Sequence, residues 1–198
     1  MSTPEMLVVA GPAGSGKTTA LPPRGFGTDF FSVDDRCAEL NGGLFTRIRP
    51  SLRARVASEC QRFIEQHIAD RASFAVETTL RGDAAIRQAE AANAAGFSTF
   101  LFFFATEDVR LNIERIAMRG QMGGHSSPEA EIRAIFAASM ANLPRAIAVF
   151  SRVECFDNSR SSADPVRVLA FDRGRLIYRA DPLPAWAATA LVSTDTPE

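Results

Sequence analysis

Short runs that are apolar throughout alternate along the chain with longer stretches whose apolar residues recur every three or four positions. Parallel strands buried on both faces between helices give this alternation. Met6-Leu7-Val8-Val9-Ala10 is the first such run, and Asp29 to Val33, Ser73 to Val76, Phe97 to Phe104 and Ser151 to Phe156 predict four more strands. The fourth is nearly uniformly apolar and aromatic, which makes it the expected centre of the sheet. Leu52, Val56, Cys60, Phe63, Ile64 and Ile68 keep helical spacing and predict a long amphipathic helix over Ser51–Asp70. An alanine-rich helix is expected from Asp83 to Ala95, stopped by Gly96.

Punctuation refines the picture. Pro22-Pro23 keeps the first helix short. Thr106-Glu107-Asp108 caps a helix that runs into a glycine-rich hinge from Gly120 to Glu129, after which Ser127 is a candidate N-cap with Pro128 at the first helical position. Leu143-Pro144 is read as a restart of the helix. Val166 to Phe171 and Arg175 to Tyr178 flank Asp172-Arg173-Gly174 as a hairpin, and Pro182 to Leu191 gives a final helix. The succession implies a single three-layer α/β domain over 1–198, with a mostly parallel central sheet, a helical lid over about 106–142 and a C-terminal hairpin and helix over about 165–192.

The loop after the first strand gives the chain its chemistry. Gly11-Pro12-Ala13-Gly14-Ser15-Gly16-Lys17-Thr18 fits G-x-x-x-x-G-K-[ST] at every fixed position, so the fold is expected to be a P-loop NTPase fold of the kinase-like kind. Glycines let successive backbone N–H groups turn around a polyphosphate, and the following helix adds its positive end. ATP is thus expected on Gly11 to Thr18 with Thr19 beside them; Lys17 reaches the β and γ phosphates, and the Thr18 hydroxyl is the expected Mg²⁺ ligand. Lys17 is the only lysine among 22 basic residues. A slim ammonium lies along a phosphate chain where a planar guanidinium would crowd the loop.

Composition narrows the partners. A net charge of −1 offers no global field for nucleic acid, and no apolar stretch approaches membrane-spanning length. The N-terminus has neither the basic region nor the apolar core of a signal peptide, which points to the cytoplasm. Cys37, Cys60 and Cys155 lack metal or redox spacing and read as reduced thiols, two of them core-facing. His67, at the edge of an apolar stripe and without companion ligands, reads as a packing residue.

Candidate acceptor chemistry sits where strands end. Asp34 and Asp35 follow the second strand, at the edge where open α/β sheets bind ligands, with capping of the next helix as a rival use for either. Glu77, Thr78 and Thr79 follow the third strand and suit a hydroxylated substrate or, again, a helix start. Asn112, Arg115 and Arg119 share a helix face expected to point away from the core, and Arg133 comes after the hinge. Arginines beside a hinge fit either a lid closing over a transferring phosphoryl group or a solvated surface.

With these pieces in place the chain resembles the zeta toxin family, in particular its compact bacterial branch of zeta-toxin-like kinases. The resemblance is most specific in the phosphate loop, in Phe74-Ala75-Val76-Glu77-Thr78-Thr79-Leu80 and in Gly123-Gly124-His125 followed by Pro128-Glu129. Ser139, Asn142-Leu143, Asp157-Asn158-Ser159 and Asp181 to Trp186 extend it over nearly the whole chain. It implies an ATP-dependent kinase acting on the amino sugar of UDP-N-acetylglucosamine, with an antitoxin protein as a candidate partner. By position it makes Asp35 the general base, gives Asp34, Glu77, Thr78, Thr79 and His125 to the substrate, and gives Arg115, Arg119 and Arg133 to the phosphates. Ala134, Ile135 and Ala138 stand where relatives carry further arginines. The residues alone also admit a kinase for another small alcohol, or a nucleotide-binding module with weak catalysis.

Overall fold

The computed structural model describes residues 3–22, 25, 27–121, 127–160 and 164–192. His125, with the Gly123-Gly124 pair, lies outside the described residues. Among the described residues, seven strands form one sheet in the order β2-β3-β1-β4-β5-β6-β7. These are β1 (Glu5–Ala10), β2 (Asp29–Ser32), β3 (Phe74–Thr78), β4 (Ser98–Ala105), β5 (Arg152–Asp157), β6 (Val166–Asp172) and β7 (Arg175–Arg179). β1 to β5 pair in parallel, and β6 and β7 add an antiparallel hairpin at one edge. The helices are α1 (Lys17–Ala20), α2 (Val33–Leu40), α3 (Pro50–Asp70), α4 (Ala84–Ala94), α5 (Val109–Gln121), α6 (Glu129–Val149) and α7 (Ala185–Val192). Sheet and helices make the expected three-layer α/β fold.

Buried runs became strands for the reason the pattern suggests. Met6, Val8 and Ala10 of β1 and Phe103 and Ala105 of β4 have no exposed surface, because β1 and β4 lie inside a sheet covered on both faces. The α3 stripe closes over it through Val56 and Ile64, with Cys60, Phe63 and Ile68 packed at its margin. His67 packs against Phe63 and Phe74, bonding the Phe63 carbonyl through Nδ1 at 2.7 Å and Asp29 through Nε2 at 3.1 Å. All three cysteines are free thiols, Cys37 and Cys155 buried. Burial pushes the Cys60 thiol up to about 11 and moves Cys155 further the same way, so neither is a reactive thiolate at neutral pH.

Three local expectations change. Pro144 does not restart a helix: α6 runs unbroken through it for 21 residues. Ile132, Ile135, Ser139, Leu143, Ala146 and Ile147 make one buried stripe, and that packing holds the helix across the missing N–H. Pro128 occupies the N-cap of α6 rather than its first turn, in extended conformation with φ −57° and ψ 143°. Finally, α6 is long and apolar enough to cross a membrane by length and composition, against the expectation that no stretch would be. Its apolar stripe is spent on the protein's own core instead.

Phe103 fills the centre of β4 and meets Trp186 of α7 at 6.1 Å between ring centroids. Phe103→Ala should destabilise the fold by about 3 to 5 kcal/mol, read as a lowered denaturation midpoint.

Candidate active site

Parallel pairing brings the carboxyl ends of five strands to one edge. Ala10 pairs with Thr78 and Phe103, Ser32 with Glu77, and Ala105 with Asp157, so the segment leaving each strand meets the phosphate loop. Gly11 leaves β1 with φ +138°, and an added Cβ there would stand 2.0 Å from the Phe104 carbonyl oxygen. Gly14 and Gly16 take φ +79° and +85°, in the region that only glycine enters without strain. The loop therefore passes tight against β4 and curls before α1.

Lys17 is 7% exposed and its ammonium donates to the carbonyls of Gly11 at 2.8 Å and Pro12 at 3.1 Å. Glu77 Oε1 lies 3.9 Å from it, while Glu77 Oε2 accepts from the Thr18 hydroxyl at 3.3 Å. Burial lowers the Lys17 pKa, with Glu77 opposing the shift. Burial likewise raises the Glu77 carboxyl, with Lys17 opposing. Each needs the other to stay charged out of water.

Asp34 and Asp35 follow the carboxyl end of β2 as expected and at the same time fall in the first turn of α2, which Ser32 caps by accepting from Asp35 N at 3.3 Å. Capping and site thus coincide. Asp34 is tied to Arg53 at 3.0 Å. The Asp35 carboxyl is raised by desolvation, an effect that the Ser32 hydroxyl reduces. As a residue Asp35 remains exposed, so its carboxyl is shielded on one side and open on the other.

A cavity of about 520 Å³ joins these groups. Gly14, Gly16, Lys17, Thr18 and Thr19 of the loop line it together with Asp34, Asp35, Glu77, Thr78, Thr79 and Arg119. Arg53, Arg81 and Phe45 also line it, none of them singled out by the sequence. The segment after β3 is rigidly held: buried Leu80 has φ 56°, Ser139 Oγ donates to the Thr79 carbonyl at 2.5 Å, and Asn142 Nδ2 donates to the Leu80 carbonyl at 3.1 Å. A non-glycine residue held in left-handed conformation by two side chains marks a segment whose shape is imposed.

The arginine face divides. Asn112 is fully buried against the phosphate loop, which corrects the expectation that its face points away from the core. Arg115 is half-buried, with Nη1 shielded and without a hydrogen-bond partner. Arg119 is exposed at the cavity rim. Arg133 does not line the cavity and pairs with Glu129 at 2.7 Å one helical turn away.

The residues present fit a bound polyphosphate. Ser15 Oγ is fully buried without a partner, 3.0 Å from where a Cβ on Gly11 would be, so the loop keeps an unused hydroxyl inside its curve. Thr18, exposed at the start of α1, is an oxygen donor of the kind Mg²⁺ takes.

No family model and no curated protein matches the chain in sequence. Solved structures do match in shape. The chain is similar to a protein of Chloroflexus aurantiacus described as a kinase, at 18% identity and TM-score 0.55, over 69% of this chain and 80% of that one. The fold is that of the P-loop kinases. A chain of the AvrRxo1-ORF1:-ORF2 complex with ATP aligns over 97% of this chain at 16% identity and TM-score 0.68; the present chain spans 64% of its length. A chain of the PezAT chromosomal toxin-antitoxin system of Streptococcus pneumoniae aligns over 96% of this chain and 78% of that one, at 17% identity and TM-score 0.58.

The raised Glu77 pKa has a stability consequence. A carboxyl whose folded value exceeds its unfolded value contributes stability that is fully present below the unfolded value, about 4.3, and lost as pH rises through the folded one. Glu77→Gln should therefore gain stability relative to the parent between pH 4 and pH 7, measured as the difference in urea midpoints. A difference that stays constant, or moves the other way, would contradict the assignment.

Proposed function

We propose that the protein is an ATP-dependent kinase that transfers the γ-phosphoryl group to a hydroxyl of a small acceptor. One observation carries this: the Lys17 end of the phosphate loop and the carboxylates of Asp34, Asp35 and Glu77 open into the same cavity, so donor and acceptor have one space to share.

In this reading the triphosphate lies on Gly11 to Thr19, and Lys17 exchanges its carbonyl partners for phosphate oxygens. The acceptor hydroxyl oxygen attacks the γ-phosphorus, the bond to the β–γ bridging oxygen breaks, its electrons leave with ADP, and the hydroxyl proton passes to Asp35. Asp35 is preferred over Asp34 because Arg53 already occupies Asp34. Thr18, with Glu77 nearby, would hold Mg²⁺, which would supply charge neutralisation at the phosphates. Thr78 and Thr79, with His125, orient the acceptor. Arg119 faces the developing charge from the cavity rim; Arg115, which does not line the cavity, and Arg133, paired with Glu129, join it only by moving in.

The finer reading is a nucleotide-sugar-like acceptor, UDP-N-acetylglucosamine first, in a cytoplasmic protein restrained by an antitoxin. The zeta toxin resemblance supports it, as does likeness of shape to a chain of a toxin-antitoxin system. A second reading, a nucleotide-binding module with weak catalysis, is favoured by one observation: Arg133 is paired away from the cavity, and Ala134 and Ala138 offer no substitute.

Incubation with Mg-ATP and a panel of hydroxylated metabolites including UDP-N-acetylglucosamine, read by mass spectrometry, should yield a phosphorylated panel member that Lys17→Ala fails to make. Asp35→Asn should lower kcat by about 10² to 10⁴-fold. Because burial raises the Asp35 pKa, the rate should climb with pH through a value above that of an ordinary aspartate. ATP binding with no product from any member would support the weak module instead.

A further inference from the structure

Two asparagines with no part in the proposed chemistry grip the loop that performs it. Asn112, in the first turn of α5, donates from Nδ2 to the Ala13 carbonyl at 2.7 Å. Asn158, just after β5, donates from Nδ2 to the Ser15 carbonyl at 2.8 Å. A trans peptide points its carbonyl and the next residue's N–H in opposite directions. A carbonyl pulled toward Asn112 therefore turns the Gly14 N–H the other way, and one pulled toward Asn158 does the same for Gly16 N–H. Both Gly14 and Gly16 line the cavity.

Each grip is itself fixed. The buried Thr106 hydroxyl donates to Asn112 Oδ1, which leaves Nδ2 as the end facing the loop. The Asn158 backbone N–H donates to the Ala105 carbonyl at 2.8 Å. Both asparagines are thus anchored at the carboxyl ends of β4 and β5, the two strands next in order beyond β1. Contact is close enough to set sequence: a Cβ on Gly14 would stand 2.6 Å from the Asn112 carbonyl oxygen, and one on Gly16 would stand 2.1 Å from Asn158 Nδ2. Gly14 occupies a position the phosphate-loop pattern leaves free; its φ of +79° and the α5 backbone pressed against it at Asn112 are why this chain keeps glycine there.

We propose that Asn112 and Asn158 are positioning residues that aim the loop's N–H donors, so that affinity for a polyphosphate is set by amides from two other elements. This rests on reading Gly11 to Thr18 as a polyphosphate site.

The test is calorimetric titration of the full chain with inorganic tripolyphosphate and Mg²⁺, beside urea unfolding midpoints. Asn112→Asp and Asn158→Asp keep shape but set a carboxylate oxygen against a carbonyl. Each should weaken binding at least tenfold; a carboxylate buried against a carbonyl also lowers the midpoint, so affinity is compared well below it, where each variant is folded. Thr106→Val leaves both asparagines and frees the Asn112 amide to turn; it should weaken binding about threefold or more, and it decides the matter if the Asp variants do not fold. Variants that fold and bind within twofold of the parent overturn the proposal, as does a lowered midpoint with unchanged affinity, which would mark a purely structural role. Failure of the parent chain to bind tripolyphosphate overturns this proposal together with the polyphosphate reading. Asparagine-dependent binding without phosphoryl transfer to any acceptor upholds the braces while the kinase reading falls.

Discussion

An ammonium ion held out of water is the constraint around which this edge of the sheet is arranged. Removing a charge from water costs several kcal/mol after relaxation unless its donors are taken up. Lys17 meets two carbonyls of its own loop and, further off, the Glu77 carboxylate. Those partners exist only because β1 ends between β3 and β4: β3 delivers Glu77 beside the loop, and β4 presses Gly11 into a turn that brings its carbonyl back toward Lys17. A shift of β3 by one residue would send Glu77 to the opposite face of the sheet.

The same arrangement explains how three acidic residues can gather at one edge. Lys17 faces Glu77, Arg53 faces Asp34, and Asp35 is left with a capped helix turn and one open side. Two of the three carboxylates are thereby committed to a basic partner. The third, desolvated and half-open, is left with a raised affinity for a proton.

The sheet was legible because fully buried strands leave unbroken apolar runs, as Phe100 to Phe104 does, and the loop was legible because close approach to phosphate admits few residues at Gly16 and Lys17. The long helix expected over Ser51–Asp70 came from spacing alone, and α3 starts one residue earlier, at Pro50. What escaped were contacts between residues far apart in sequence. Asn112 looks solvent-facing because asparagine is polar, and its partner Ala13 is 99 positions away. Asn158 reaches across 143. Pro144 misled because local chemistry argues for a break while tertiary burial of the α6 stripe argues for continuity, and burial won. Arg81 and Phe45 carry no periodic signal; only the fold puts them at the cavity. Arg133 joins the site by resemblance alone, and its spacing to Glu129 at one helical turn offered the competing partner in plain view.

The chain's single lysine has a consequence beyond phosphate binding. Twenty-one arginines supply every other basic side chain, and the one side-chain amine is enclosed by the loop it serves. Amide-forming acylation, Schiff-base glycation and isopeptide tagging of a side chain all require such an amine in the open. For this protein the outer surface offers none, so chemistry of that kind can mark a side chain only by opening the phosphate loop and disabling it.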